Sequence, residues 1–113
     1  MRTLVIDDQA FAERADKFSD LPGEVTCVTT FPVLWSIFLG YETIYWDNDL
    51  GKGGDVIARL SELYWTDSDL FAKLFAHKKH FVHSANPVAN RRICHLLESV
   101  GADVTSRPIT NWN

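Results

Sequence analysis

Thr43-Ile44-Tyr45-Trp46-Asp47-Asn48-Asp49-Leu50-Gly51 joins four residues of strand type to an acidic turn that ends in glycine. β-Branched and aromatic side chains suit a pleated surface, so residues 43–46 read as a strand whose carboxyl end delivers Asp47, Asn48 and Asp49 to a loop. Moving outward, the same grammar recurs. Thr3-Leu4-Val5-Ile6 runs into Asp7-Asp8. That short unbroken apolar run fits a central strand buried on both faces. His80-Phe81-Val82-His83 runs into Ser84-Ala85-Asn86-Pro87, and Ala102 to Thr105 runs into Ser106-Arg107. Glu24 to Thr30, rich in Val and Thr, supplies one more strand, the second in chain order.

Between these strands the apolar spacing is helical. Phe11, Ala15 and Phe18 mark a helix over roughly 9–19, stopped by Pro22-Gly23. Residues 31–40 are apolar almost throughout and read as a buried helix, with Pro32 in its first turn and Gly40 just past its end. Val56, Ile57, Leu60, Leu63 and Tyr64 mark a helix face after the turn Gly51-Lys52-Gly53-Gly54. Asp67, Ser68 or Asp69 is placed to cap a further short helix, with Leu70, Phe71, Leu74 and Phe75 as its inner stripe. Ala89, Ile93, Leu96, Leu97 and Val100 form the last face, closed by Gly101. Trp35, Trp46 and Trp65 fall on core-facing elements and read as packing residues, whereas Trp112 is near the terminus.

Strand–helix alternation repeated this often implies a parallel sheet with helices on both faces. Five strands give a three-layer, flavodoxin-like (βα)5 fold of order 2-1-3-4-5, with the helix at 67–76 as an extra element before strand four. Residues 1–113 then form a single domain. In such sheets ligands bind outside the carboxyl ends of the strands, at the switch point between strands one and three. Asp7, Asp8, Asp47 and Asp49 converge there, with His83, Ser84, Asn86 and Arg107 on the neighbouring strand ends.

Clustered carboxylates repel one another, and a cation relieves the repulsion. Oxygen-only ligands favour Mg²⁺ or Mn²⁺, so Asp7, Asp8, Asp47 and Asp49 are the candidate metal ligands. His83 is a candidate for proton transfer and Ser84 for holding a phosphoryl oxygen. Asn86-Pro87 opens a helix with Arg91 and Arg92 in its first turns, a candidate anion site, and Arg107 is a second phosphate clamp. His77, His80 and His83 have metal-like spacing, but a strand alternates its faces, so His80 and His83 point opposite ways and no three-histidine zinc site is expected.

The composition narrows the function further. Fifteen acids against eleven bases give a net charge of −4, which disfavours an extended nucleic-acid surface. Setting Asp7, Asp8, Asp47 and Asp49 aside leaves eleven acids against eleven bases, so the excess charge is numerically that of the crevice. No apolar run approaches the ~20 residues of a membrane span, and the amino-terminal run ends in two acids, unlike a signal peptide. Cys27 and Cys94 are too few and too far apart for a disulfide framework or a Cys-x-x-Cys site. They read as reduced, buried thiols of a cytoplasmic protein.

Asp7-Asp8, Asp47-Asn48-Asp49-Leu50-Gly51 and His83-Ser84-Ala85-Asn86-Pro87-Val88 together resemble the cyclic-phosphate processing receiver domain family, over nearly the full chain. The resemblance implies a receiver-like fold acting on cyclic phosphates at RNA ends or on nucleotides. It implies metal-dependent hydrolysis with Asp47, His83 and Ser84 as the catalytic residues and Asn86, Arg91 and Arg107 around the phosphate. The chain departs from that pattern at Asn48, where the family usually has histidine, and at Gln9-Ala10-Phe11, which replace an arginine and proline. Receivers carry a lysine after strand five where this chain has Arg107. Two alternatives follow: a signalling or binding module without turnover, in which Asp47 accepts a phosphoryl group, and a small phage- or immunity-related protein that acts on a protein partner.

Overall fold

The computed structural model of the protein describes residues 2–7, 23–47, 55–83 and 86–106. Five strands form one sheet: β1 (Arg2–Ile6), β2 (Glu24–Val28), β3 (Thr43–Trp46), β4 (Lys79–Val82) and β5 (Asp103–Ser106). All four pairings are parallel and the order is β2-β1-β3-β4-β5, the doubly wound order expected from the sequence. Register puts Val28, Ile6, Trp46, Val82 and Ser106 in one row at the carboxyl edge. Asp7, Asp47 and His83, the next residues after β1, β3 and β4, therefore stand at the same end of the sheet.

Alternation along the strands divides the core. Leu4, Ile6, Ile44, Trp46 and Val82 face one way and pack with α1 (Val56–Thr66), α2 (Ser68–Phe75) and α3 (Pro87–Ser99) through residues such as Leu60, Phe71 and Ile93. Val5 and Tyr45 face the other way, with Val25, Cys27 and Phe81 against them. The helix expected over 9–19 and Trp112 lie outside the described residues.

Local signals account for the helix ends. Asp67 accepts a hydrogen bond from the Leu70 amide at 3.0 Å and separates α1 from α2, so the extra helix before β4 is present. Asn86 Oδ1 accepts from the amides of Val88 and Ala89, both at 3.1 Å, and Pro87 occupies the first turn, where its missing N–H is harmless. At the other end of α3, Gly101 takes φ 83°, a conformation that glycine enters without a Cβ clash, and its amide returns to Glu98 O at 2.9 Å. Asn90, inside α3, donates through Nδ2 to Ser106 Oγ at 3.1 Å and fastens the helix to β5.

Two expectations are corrected. The run 31–40 forms only a short 3₁₀ helix, Trp35–Gly40, in which Phe38 is the buried residue, while Val33, Leu34, Ile37 and Leu39 are exposed. With three residues per turn, Trp35 and Phe38 share a face. They join Phe31 in an aromatic cluster that reaches Trp46 and Phe75, and the remaining apolar residues turn outward. Lys78 Nζ donates to Phe38 O and ties this segment to the start of β4. The second correction is Trp65. It is 81% exposed, unlike Trp35 and Trp46, which pack as expected. Nine residues at ~100° each put it about 180° around α1 from buried Val56.

Candidate functional site at the carboxyl ends of the strands

The sheet's hydrogen bonding continues one residue beyond the strands. The amide of Asp7 donates to Val28 O at 3.0 Å, that of Asp47 to Ile6 O at 2.9 Å, and that of His83 to Trp46 O at 2.9 Å. Asp7, Asp47 and His83 therefore stand in one row on three adjacent strands, β1, β3 and β4, with neighbouring backbones ~4.8 Å apart. The position is the switch point of the sheet.

All three side chains are buried, at 5%, 7% and 0% exposure. His83 Nε2 lies 3.3 Å from Asp7 Oδ2, where an ionised carboxylate accepts and the ring N–H donates. The His83 ring packs against Tyr45 at 6.1 Å between centroids. This puts it on the sheet face opposite His80, as strand alternation requires. Cys27 is a neighbour that the sequence did not reveal. Its thiol pKa is raised, first by burial and second by the negative charge of Asp7. Its signal was available in register, since Cys27 pairs with Val5, two residues before Asp7. Both cysteines are free, Cys94 buried as expected and Cys27 only half-buried.

His80 belongs to the core. Trp46 Nε1 donates to its Nδ1 at 3.0 Å, so the ring proton sits on Nε2 and donates to Phe75 O at 2.9 Å. Burial lowers its pKa to about 4, against a partly opposing Phe75 carbonyl. With both nitrogens engaged and His77 exposed, the histidines do not converge.

Of the other candidates, Asp8, Asp49, Ser84 and Arg107 lie outside the described residues. Asn86 begins α3 beside the site, and its carboxamide oxygen caps that helix. Arg91 is exposed and lines a groove between α1 and α3. Among the described residues no group of three or more His, Cys, Asp or Glu is assembled for a metal, and no helix is long and apolar enough to cross a membrane. Asp7 and Asp47 still fit a hard cation. Two carboxylates brought out of water on neighbouring strands repel, and Mg²⁺ typically takes one or two carboxylates and completes its shell with water and phosphate oxygens.

No family model and no curated protein sequence matches the chain. Solved structures do. A response regulator protein from Burkholderia pseudomallei, with a phosphorylated aspartic acid, a calcium ion and citrate, superposes with a TM-score of 0.61 at 15% identity, over 95% of this chain and 59% of that one. The response regulator domain of Thermotoga maritima CheB gives 0.51 at 22% identity, over 96% of this chain and 78% of that one. The chain has a receiver-like fold. At these identities the likeness is one of fold, and the chain spans 59% of the Burkholderia protein's length.

Proposed function

We propose that the protein is a receiver-like signalling module, acting in the cytoplasm, in which a divalent cation and a phosphoryl group meet at Asp7 and Asp47. The observation that carries this reading is the row itself: two buried carboxylates on adjacent strand ends at the switch point of a receiver-like sheet. Mg²⁺ or Mn²⁺, when bound, neutralises these carboxylates and the charge on the transferring phosphoryl group. Asp47 is the acceptor. One of its carboxylate oxygens attacks phosphorus in a small phosphodonor such as acetyl phosphate, a new P–O bond forms, and the donor's P–O bond breaks with acetate leaving on its electron pair. Asp7 is the cation's carboxylate. His83 is a positioning residue, since its ring holds Asp7 Oδ2. Support also comes from the Burkholderia neighbour, whose structure holds a phosphorylated aspartic acid and a calcium ion. The test is acetyl phosphate or beryllofluoride with Mg²⁺. A mass gain of one phosphoryl group, or a rise in melting temperature with beryllofluoride, absent in Asp47→Asn, is the expected result. No mass shift and no thermal shift would overturn the phosphoacceptor role.

A second reading rests on the His83–Asp7 pair, a buried imidazole on a carboxylate that could move a proton. It is metal-dependent hydrolysis of a cyclic phosphate on a nucleotide or RNA end, with Ser84, Asn86 and Arg107 around the phosphoryl oxygens. Incubation with 2′,3′-cyclic nucleotides and Mg²⁺ or Mn²⁺ tests it, and turnover no greater than that of Asp47→Ala overturns it for those substrates.

A further inference from the structure

Away from the carboxylate row, α1 and α3 enclose a groove of about 440 Å³. Its α1 wall is Ile57, Ser61 and Trp65, a stripe of four-residue spacing. Its α3 wall is Val88, Arg91, Arg92, His95 and Leu96, a stripe of the same eight-residue span. At 1.5 Å per residue each wall runs ~12 Å, two helical turns, so the groove is a trough between two rods. Ile57 and Leu96 are half-buried, while Val88 and Trp65 are exposed at 54% and 81%. Trp65 at the end of α1 and Val88 at the start of α3 thus expose apolar surface on one groove, the kind of feature that marks an interaction site when it is continuous with further apolar lining. Tryptophan and arginine are also the residues most enriched among those that dominate binding energy.

The charge is as telling as the shape. The chain carries a net charge of −4, yet no acid occurs among the described residues that line this groove, and two arginines with one histidine stand on a single wall. The α1 wall carries no charge, whereas on α3 the arginines and His95 stand between the apolar Val88 and Leu96. A compact anion would use the arginines and leave the twelve-ångström apolar length uncovered. An amphipathic helix uses both, laying apolar anchors along the trough and presenting acids to α3. We propose that this groove docks an acidic amphipathic helix of a partner protein, with Trp65 and Val88 gripping its apolar side and Arg91 and Arg92 selecting its charge. Complementary charge of this kind sets specificity and speeds encounter, so the same site disfavours a basic helix.

The test uses the full chain and a displayed library of helical peptides of about 14 residues, ~21 Å long. Leu is fixed at one-face spacing, and the flanking positions are randomised among Glu, Lys, Gln and Ser. Selection is expected to enrich Glu. The affinity of the recovered peptides should fall by about tenfold or more in Arg91→Glu/Arg92→Glu, whose selections should shift toward Lys, and in Trp65→Ala. All three substituted residues are exposed, and unchanged circular dichroism and melting temperature establish that the variants fold. Three results overturn the proposal: no enrichment over the starting pool, enrichment indifferent to charge, or binding unaffected by the double charge reversal. AMP displacing the peptides in proportion to its own groove-dependent binding also overturns it, in favour of a small anionic ligand.

Discussion

β4 and the residue after it carry two buried histidines, three positions apart, with opposite fates. His80 is 1% exposed and His83 0%. His80 faces the helices, where Trp46 Nε1–H and Phe75 C=O occupy its two nitrogens and its ring stacks on Trp46 at 6.1 Å. His83 faces the other way, 3.3 Å from a carboxylate at the end of β1. Burial alone therefore does not distinguish the two histidines. The partner does. Neutral partners on both nitrogens fix one tautomer and leave nothing to exchange, whereas a carboxylate partner couples the ring to charge.

The largest effect that tests this contrast is His80→Ala. It removes a buried ring and strands the Trp46 N–H and the Phe75 carbonyl, so a loss of ~3–5 kcal/mol in urea unfolding is expected. Phosphoryl uptake by the remaining folded protein should be unchanged. His83→Ala should do the reverse, weakening uptake more than stability, and equal stability losses with equal uptake would erase the distinction.

Acid comes next. His80 titrates at about 4 in the fold against 6.5 ordinarily, so between those values the unfolded chain takes up a proton that the native chain refuses. Its stabilising contribution is whole above pH 6.5 and is lost as pH falls toward 4, by ~3 kcal/mol in all. His80→Gln, which keeps a donor and an acceptor but does not titrate, should flatten that part of a stability-versus-pH curve.

Mg²⁺ should act only on the other histidine's side of the sheet. At ~100 times its dissociation constant it should stabilise the wild type by ~2.7 kcal/mol and Asp47→Asn by far less. In His80→Gln the increment should be intact, as read by calorimetry. The smallest effect concerns Asn86. As a helix cap it is worth ~1 kcal/mol, so Asn86→Ala should cost about that. A larger fall in phosphoryl binding than in stability would extend the His83 neighbourhood to include it.

The strands were legible because each pairs an apolar or β-branched run with a polar end, and Thr43–Trp46 was found with its exact bounds. The same signal located Asp7, Asp47 and His83 at one end of one sheet. What it lacked was contact: the His83–Asp7 hydrogen bond joins residues 76 positions apart, and no local pattern encodes it. Residues 31–40 failed because a segment apolar throughout has no periodicity from which to choose a face. Trp65 failed for a different reason. Its hydrophobicity outweighed its angle, although the wheel drawn from Val56, Leu60 and Leu63 already turned it outward.

The amides of Asp7, Asp47 and His83 are bonded into the sheet itself, each to the carbonyl of the strand next door. Their backbones thus belong to the same cooperative unit as the central strands, the part of a fold that opens last and shields its amide protons longest from exchange with solvent. The row is thus anchored by the sheet and not by a loop of its own, so whatever pulls apart the middle of the sheet dismantles the row with it.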